Sequence, residues 1–181
     1  MKRALPVLMV ALASSLAASA DTFTLRSPVL TPGGRLAAAQ VYQGYGCNGG
    51  NISPALSWSG VPAGTRSFVV TVYDPDAPTG HGWWHWAVFN LPAGSQGLAE
   101  GAGGAGPLPP GAAQAQTDFG KPSYGGACPP AGDKPHRYIF TVYALKAERL
   151  PVDAAPSAAT VDAQAKRLQL SSASITVFYG R

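Results

Sequence analysis

Residues 69–91 constrain the fold more than any other segment, because two strand-like runs flank a turn that can continue neither of them. Their sequence is VVTVYDPDAPTGHGWWHWAVFNL. The first run is rich in β-branched and aromatic residues and ends at Asp74, after which Pro75 and Pro78 restrict φ and remove backbone donors. The chain therefore leaves a sheet where Asp74 and Asp76 lie. Polar groups beside large aromatic side chains at a strand end are typical of a small-molecule pocket.

Six segments have the composition of β-strands, because they are rich in Val, Ile, Tyr, Phe and Trp and are bounded by turn-forming residues. They are residues 22–25, 55–58, 67–74, 84–91, 137–145 and 174–179. With 22 glycines and 17 prolines, the chain has the frequent turn-forming residues that are typical of an all-β sandwich with long connections. One helix is expected over residues 157–170. Residues 94–116 would form a flexible loop or a rim with a defined backbone, and their composition favours the flexible loop.

The first 20 residues have the organisation of a cleavable secretory signal. Basic residues at positions 2 and 3 precede an apolar stretch over residues 4–16, and residues 18–20 are small. An amphipathic or membrane helix is the alternative, but the apolar stretch is shorter than the roughly 20 residues that cross a bilayer. We therefore predict a signal peptide over residues 1–20, one domain over residues 21–181, no transmembrane segment, and export to the periplasm or the medium.

The charge of the chain argues against nucleic acid as a partner. The formal net charge is +4, with 13 basic and 9 acidic residues, and loss of Lys2 and Arg3 with the leader lowers it to +2. No run or clustered face of basic residues remains to follow a phosphate backbone.

Cys47 and Cys128 each lie in a glycine-flanked loop. In an oxidising compartment two cysteines allow a single intramolecular pairing, so export favours a disulfide between them. The alternative is a pair of free or metal-binding thiols.

Strand alternation groups the polar residues with apolar neighbours, since residues two apart in a strand face the same side. His136 and Tyr138 share one face, and Asp74 shares its face with the two valines at alternate positions before it. Alternation also groups His85 with three residues of its own strand, Trp83, Ala87 and Phe89. Three strands would each present a polar end on an apolar face.

Two motifs make this chain similar to the phosphatidylethanolamine-binding protein family. The first is DPDAP followed by WHWAV, and the second is DKPHRYIFTVYAL further along the chain. The segments CNGGNISPALSWSGVPAGTRSFVV and YGGACPPAGDKPHRY support the match. The resemblance covers nearly the whole chain after the leader, and it is strongest to the short bacterial members described as Raf-kinase-inhibitor-like.

The resemblance implies a mainly β fold, a sandwich of antiparallel or mixed strands with one or two short peripheral helices. It also implies a small pocket for phosphate-type head groups and small carboxylates, no cofactor, and a homodimer as in short bacterial relatives. The residues carried over by motif are Asp74, Asp76, His85, His136 and Tyr138 in the pocket, Trp83 and Pro78 in its wall, and Gly126 with Pro129 and Pro130 at its rim. Arg137 would face the other way and pair with a carboxylate.

Two carboxylates are an unexpected lining for an anion site, because like charges repel strongly where solvent is excluded. We hypothesise that the carboxylates hold His85 and His136 in protonated form, so that both histidines donate to the ligand's oxygens.

Three other functions are weighed against ligand binding. A metal site built from His85, His136 and Asp74 is disfavoured, and HExxH and GxSxG motifs are absent from the sequence. An acid–base hydrolase would need only a positioned Asp and His pair. An interaction module would act through its loops on an exported protein partner. The sequence favours a binding protein without catalytic activity.

Overall fold

The computed structural model describes residues 22–104 and 106–181. The expected leader over residues 1–20 lies outside the described residues. The strands and helices in chain order are β1 (Thr24–Arg26), a 3-10 helix (Ala38–Gln40), β2 (Gln43–Gly44), β3 (Cys47–Asn48), β4 (Leu56–Ser59), β5 (Ser67–Asp74), β6 (Trp83–Pro92), β7 (Gly97–Leu98), β8 (Ala113–Gln114), β9 (His136–Leu145), α1 (Ala158–Leu168) and β10 (Gln169–Tyr179).

Two sheets pack face to face as a β-sandwich. The larger sheet has the strand order β10-β9-β5-β6-β8, the smaller has the order β1-β4-β7, and neighbouring strands in both are antiparallel. Alternating apolar residues of β1 and β4 meet those of β5, β6 and β9 in a shared core. A short hairpin of β2 and β3 lies outside both sheets. The expected mainly β sandwich is confirmed.

The single α-helix of the described residues covers the outer face of the larger sheet. Val161 and Ala165 of α1 are fully buried and pack against Val69, Ala87 and other residues of that face. The helix begins after Ser157, whose hydroxyl accepts from the amide of Thr160 at 3.1 Å. This side-chain cap satisfies one of the amides left free by the first helical turn.

The sequence predicted all six strands of three or more residues, with β10 too short at its start, and none of the two-residue strands. β5 has the predicted bounds, whereas β10 begins at Gln169, so the helix ends two residues before its predicted end. β2, β3, β7 and β8 have two residues each, too few to show an alternating pattern. Residues 94–116, expected to be flexible, contain two of these strands and bury Ala102 and Ala115, because small side chains allow close packing.

A β-bulge in β6 changes the predicted orientation of its residues. Val72 pairs with Trp86 and Tyr73 pairs with Trp84, so His85 is the extra residue on its strand. After the bulge, Trp86 faces the sandwich core. Ala87 and Phe89, one and three positions further along the strand, belong to the opposite face beside α1. The prediction that they share a face with His85 was therefore wrong, because alternation assumes an unbroken pleat.

Candidate binding site

The candidate site lies where one end of β5 meets the starts of β6 and β9. Asp74 is the last residue of β5 and pairs with Trp83, the first residue of β6. β9 is antiparallel to β5 and starts at His136. Since the end of a strand adjoins the start of its antiparallel neighbour, three distant parts of the sequence bring polar side chains to one sheet edge.

A cavity of about 230 Å³ opens at this edge. It is lined by Tyr45, Asp74, Ala77, Pro78, Thr79, Trp83, His85, Phe119, Cys128, Pro129, Pro130, His136 and Tyr138. Eight of the ten residues predicted for the pocket, its wall and its rim are among them. The remaining two, Asp76 and Gly126, lie outside the lining, and each has a different role.

Asp74 and His136 form a buried pair in the floor of the cavity. One carboxylate oxygen of Asp74 accepts from Nδ1 of His136 at 2.8 Å, and both side chains are buried. The other oxygen accepts from the backbone amide of Asp76 at 2.8 Å, which closes the turn after β5. Nε2 of His136 lies 3.4 Å from a carboxylate oxygen of Asp133. Both carboxylate oxygens of Asp74 are therefore engaged by the protein.

Asp76 pairs with Arg137 instead of lining the cavity. Its carboxylate accepts from the guanidinium at 2.7 and 2.8 Å and from the backbone amide of the same arginine at 2.9 Å. These hydrogen bonds lower the pKa of Asp76 to about 2. The predicted pairing of Arg137 with a carboxylate is confirmed, but it removes Asp76 from the predicted pocket.

His85 is held by a carbonyl group rather than by a carboxylate. Its Nδ1 lies 2.7 Å from the carbonyl oxygen of Gly125, and its side chain is buried. Burial lowers the pKa of His85, because a charged imidazole loses its hydration there. The hypothesis that a carboxylate holds His85 in protonated form was therefore wrong. Strand alternation could not predict this, because the bulge directs Nδ1 toward the carbonyl group of Gly125 in a distant loop.

Tyr138 places a buried hydroxyl on the cavity wall. The residue is 1% exposed, and its hydroxyl has no hydrogen-bond partner among the described residues. Burial raises the pKa of this phenol, and the nearby Asp74 carboxylate acts in the same direction, so the group keeps its proton. An unpaired buried hydroxyl is costly in a folded protein. No described residue accepts the proton of this hydroxyl with hydrogen-bond geometry, although the carboxylate of Asp74 lies close enough to act on its pKa.

Phe119 builds the aromatic wall of the cavity and was missed by the sequence analysis. Its ring lies 5.5 Å from that of Trp83 and 5.4 Å from that of His85, both in edge contacts. It also stacks on Tyr42 at 4.5 Å and on Tyr45 at 6.1 Å. The only signal available was a single aromatic residue in a loop rich in Gly and Pro, which composition cannot assign to a site.

A disulfide and an arginine join the two loops at the cavity mouth. Cys47, in the hairpin of β2 and β3, is bonded to Cys128, which lines the cavity. The guanidinium of Arg181 donates to the carbonyl oxygens of Gly46 and Tyr45 in the same hairpin and of Pro129 in the facing loop. The disulfide favoured by the sequence is present, and it excludes the alternative of free thiols.

Gly126 packs against the backbone of residues 40–42. A Cβ atom at this position would overlap the carbonyl oxygen of Gln40 and the backbone of Val41 and Tyr42. Its amide donates to the side chain of Asn51 at 2.8 Å. Glycine is therefore required here so that two backbone segments can approach closely.

The described residues show neither a metal-binding cluster nor a membrane span. No group of three or more His, Cys, Asp or Glu side chains in residues 22–104 and 106–181 has an arrangement that could hold a metal ion. No helix in this part of the chain is both long enough and apolar enough to cross a bilayer.

Comparison with known proteins places this geometry in a family. The profile of the family described as phosphatidylethanolamine-binding protein matches residues 26–180. Two UPF0098 proteins of Escherichia coli strain K12 are similar to this chain. YbcL is 51% identical over 164 residues, 90% of each chain, and YbhB is 54% identical over 151 residues, 83% of this chain and 95% of YbhB.

Solved structures agree with the sequence comparison. The crystal structure of E. coli YbcL, described as a new member of the mammalian PEBP family, matches with a TM-score of 0.85 at 51% identity, over 88% of this chain and 98% of that chain. A phosphatidylethanolamine-binding protein homologue from Chlamydia trachomatis matches with a TM-score of 0.73 at 29% identity, over 88% and 97% of the two chains. This chain therefore belongs to the phosphatidylethanolamine-binding protein family.

Proposed function

We propose that this protein binds a small ligand through an oxyacid group of the phosphate or carboxylate type, such as a phospholipid head group, in the cavity between β5, β6 and β9. The observation that carries the proposal is the hydroxyl of Tyr138, which is buried, protonated and without a partner among the described residues. A ligand oxygen in the cavity would accept from this hydroxyl. The aromatic wall of Trp83 and Phe119 would enclose the apolar part of the ligand.

The test is a calorimetric titration with inorganic phosphate and with acetate, repeated on Tyr138→Phe. Loss of one hydrogen bond is expected to weaken phosphate binding about tenfold, which corresponds to roughly 1.4 kcal/mol. The same change should leave the free energy of unfolding unchanged or raise it, because it removes an unpaired buried hydroxyl. This opposite effect on binding and stability distinguishes a ligand donor from a structural tyrosine.

Tyr143→Phe is the matched control, since it removes the same hydroxyl from the same strand on the opposite face. That hydroxyl donates to Asp162 at 2.7 Å, so its loss should lower stability and leave phosphate binding unchanged. Equal phosphate affinity of Tyr138→Phe and the wild type, or no binding of either anion by the wild type, would refute the proposal.

We propose that this binding occurs without turnover. Both carboxylate oxygens of Asp74 are engaged by His136 and by the turn, so the lining formed by the described residues has no free carboxylate to act as a general base. Incubation with phosphate esters and carboxylic esters should release no product. Product formation that is lost in His85→Ala would instead support the hydrolase.

Export to the periplasm or the medium is also part of the proposal. It is supported by the leader-like sequence of residues 1–20 and by the Cys47–Cys128 disulfide, which persists in an oxidising compartment. Expression of the full chain in a Gram-negative host, followed by fractionation and N-terminal sequencing, should recover a periplasmic protein that begins at Asp21. Recovery of an unprocessed cytoplasmic protein would contradict export.

A further inference from the structure

His85 presents a hydrogen-bond acceptor to the cavity, and the reason lies in its contact with Gly125. The carbonyl oxygen of Gly125 can only accept, so Nδ1 of His85, at 2.7 Å, must carry a proton. Burial keeps the ring neutral. A neutral imidazole with a proton on Nδ1 has a lone pair on Nε2, and the second ring nitrogen is the one left for a ligand.

Tyr138 presents a donor next to this acceptor. The two rings are in edge contact with centroids 5.1 Å apart, and both residues line the cavity. The hydroxyl of Tyr138 has its proton available, because no partner among the described residues takes it. The wall therefore offers one acceptor and one donor at neighbouring positions.

The charges around the cavity disfavour a ligand with two negative charges. Its lining contains the carboxylate of Asp74 and neither lysine nor arginine from the described part of the chain. The guanidinium of Arg137 is engaged by Asp76 outside the lining. A dianion would thus meet a fixed negative charge without a permanent cation to offset it.

From this pattern we propose that the site selects oxyacid groups that carry one negative charge and keep one proton, namely dihydrogen phosphate and the monoanion of a phosphomonoester, over sulfate and phosphodiesters. An intact phospholipid is a phosphodiester, so a head group would bind as the free phosphomonoester. The P–OH group of the ligand donates to Nε2 of His85, and an unprotonated phosphoryl oxygen accepts from Tyr138. Sulfate and a phosphodiester have the same tetrahedral shape but no proton to donate at neutral pH, so their oxygens meet the lone pair of Nε2. This specificity rests on the oxyacid binding proposed above.

The first experiment compares four ligands on the wild-type protein at pH 6.5 and one ionic strength. Affinities for the two phosphates that can keep a proton are expressed per protonated monoanion, because the second pKa of a phosphomonoester lies near 6. Calorimetric titrations use inorganic phosphate, sulfate, monomethyl phosphate and dimethyl phosphate. We expect phosphate to bind at least about tenfold more tightly than sulfate, and monomethyl phosphate to exceed dimethyl phosphate by a similar factor, because each poor ligand leaves a buried acceptor unpaired. Sulfate or dimethyl phosphate binding as tightly as its partner overturns this specificity and leaves oxyacid binding intact. Absence of binding for all four overturns this specificity, and absence of acetate binding as well overturns the oxyacid proposal.

The second experiment assigns the discrimination to His85. In His85→Asn the side-chain amide can still donate to the carbonyl of Gly125, but its own oxygen lies nearer the backbone than Nε2 and leaves no acceptor at that position. The preference for phosphate over sulfate should fall from about tenfold to about unity. Tyr138→Phe should weaken both anions by similar factors and keep the preference. Glu148→Gln, in an exposed ion pair with Arg66, is the control and should match the wild type.

An unchanged preference in a folded His85→Asn protein would overturn the role of His85. Thermal unfolding of each variant shows whether it folds. Where His85→Asn does not fold, the four-ligand comparison on the wild type decides the specificity by itself.

Discussion

Nδ1 of His136 donates to a carboxylate oxygen of Asp74 across 2.8 Å, and this bond joins the start of β9 to the end of β5. The two residues are 62 positions apart in the sequence, and both are almost completely buried. Because the other oxygen of Asp74 holds the turn that follows β5, one carboxylate fixes both the strand end and its neighbour. The floor of the cavity is therefore set by the same bonds that stabilise the sheet edge.

Asp74→Asn is expected to destabilise the protein as well as change the cavity. The amide supplies one acceptor oxygen in place of two, so either His136 or the amide of Asp76 loses its partner in a buried position. We expect the free energy of unfolding to fall by about 1–3 kcal/mol. Urea unfolding at neutral pH measures this difference. Asp153→Asn, at an exposed aspartate, is the control, and equal stability of the two variants would refute the structural role.

The ion pair of Asp76 and Arg137 predicts a stability difference that depends on pH. The pKa of Asp76 is about 2 in the folded protein, below its ordinary 3.8, so the stabilisation is complete above the ordinary value and is lost as pH falls toward 2. Arg137 is half exposed and solvent screens the pair, so we expect Asp76→Asn to be less stable by about 1 kcal/mol at pH 6. The deficit should disappear near pH 2. A deficit that stays constant in urea unfolding from pH 6 to pH 2 would rule out this ionisation.

Removal of the disulfide should destabilise the fold and loosen the cavity mouth. Cys47 and Cys128 close a loop with a sequence separation of 81, and loss of a native disulfide in a loop of this length costs about 2–4 kcal/mol. The double variant Cys47→Ser/Cys128→Ser, measured by chemical unfolding, should show this loss. The wild type treated with a reducing agent should behave in the same way. Phosphate binding should weaken too, since Cys128 lines the cavity. An unfolding midpoint that does not change on reduction would contradict this prediction.

His85 should titrate at a lower pH than an ordinary histidine. Burial lowers its pKa below 6.5, and a folded-state value below the unfolded one means that this group's contribution to stability is present above pH 6.5 and declines as pH falls. Nuclear magnetic resonance of the imidazole nitrogens should show a neutral ring at pH 6.5 with its proton on Nδ1. The spectrum of His85→Asn assigns the signals. A midpoint above 6.5 would contradict the effect of burial, and a neutral ring protonated on Nε2 would be inconsistent with the bond to Gly125.

Several parts of the site could be predicted from the sequence because they depend on local order. The composition of residues 67–74 predicted β5 to the residue, and the turn chemistry of the following Asp-Pro segment placed Asp74 at its end. Alternation also placed Tyr138 and His136 on one face of β9 and Arg137 on the other, where it pairs with Asp76. These features need only the period of a strand and the restrictions of proline.

Other parts depend on contacts between distant segments, which no local pattern records. The bulge at His85 arises from the register between β5 and β6, and the bond of its ring to Gly125 arises from a loop 40 residues away. Phe119 joins the wall through contacts with residues of the hairpin and of β6. Gly126 is needed for the close approach of a second backbone segment.

The sequence by itself determined the fold class, both ends of β5, the pairing of two cysteines, and most of the residues that line the cavity. It could do so because strand period, turn chemistry and family motifs are properties of neighbouring residues. The tertiary structure decided the chemistry of those residues. It assigned Asp76 to Arg137, Asp74 to His136 and His85 to a carbonyl group, because protonation and donor direction depend on burial and on partners that only folding brings together.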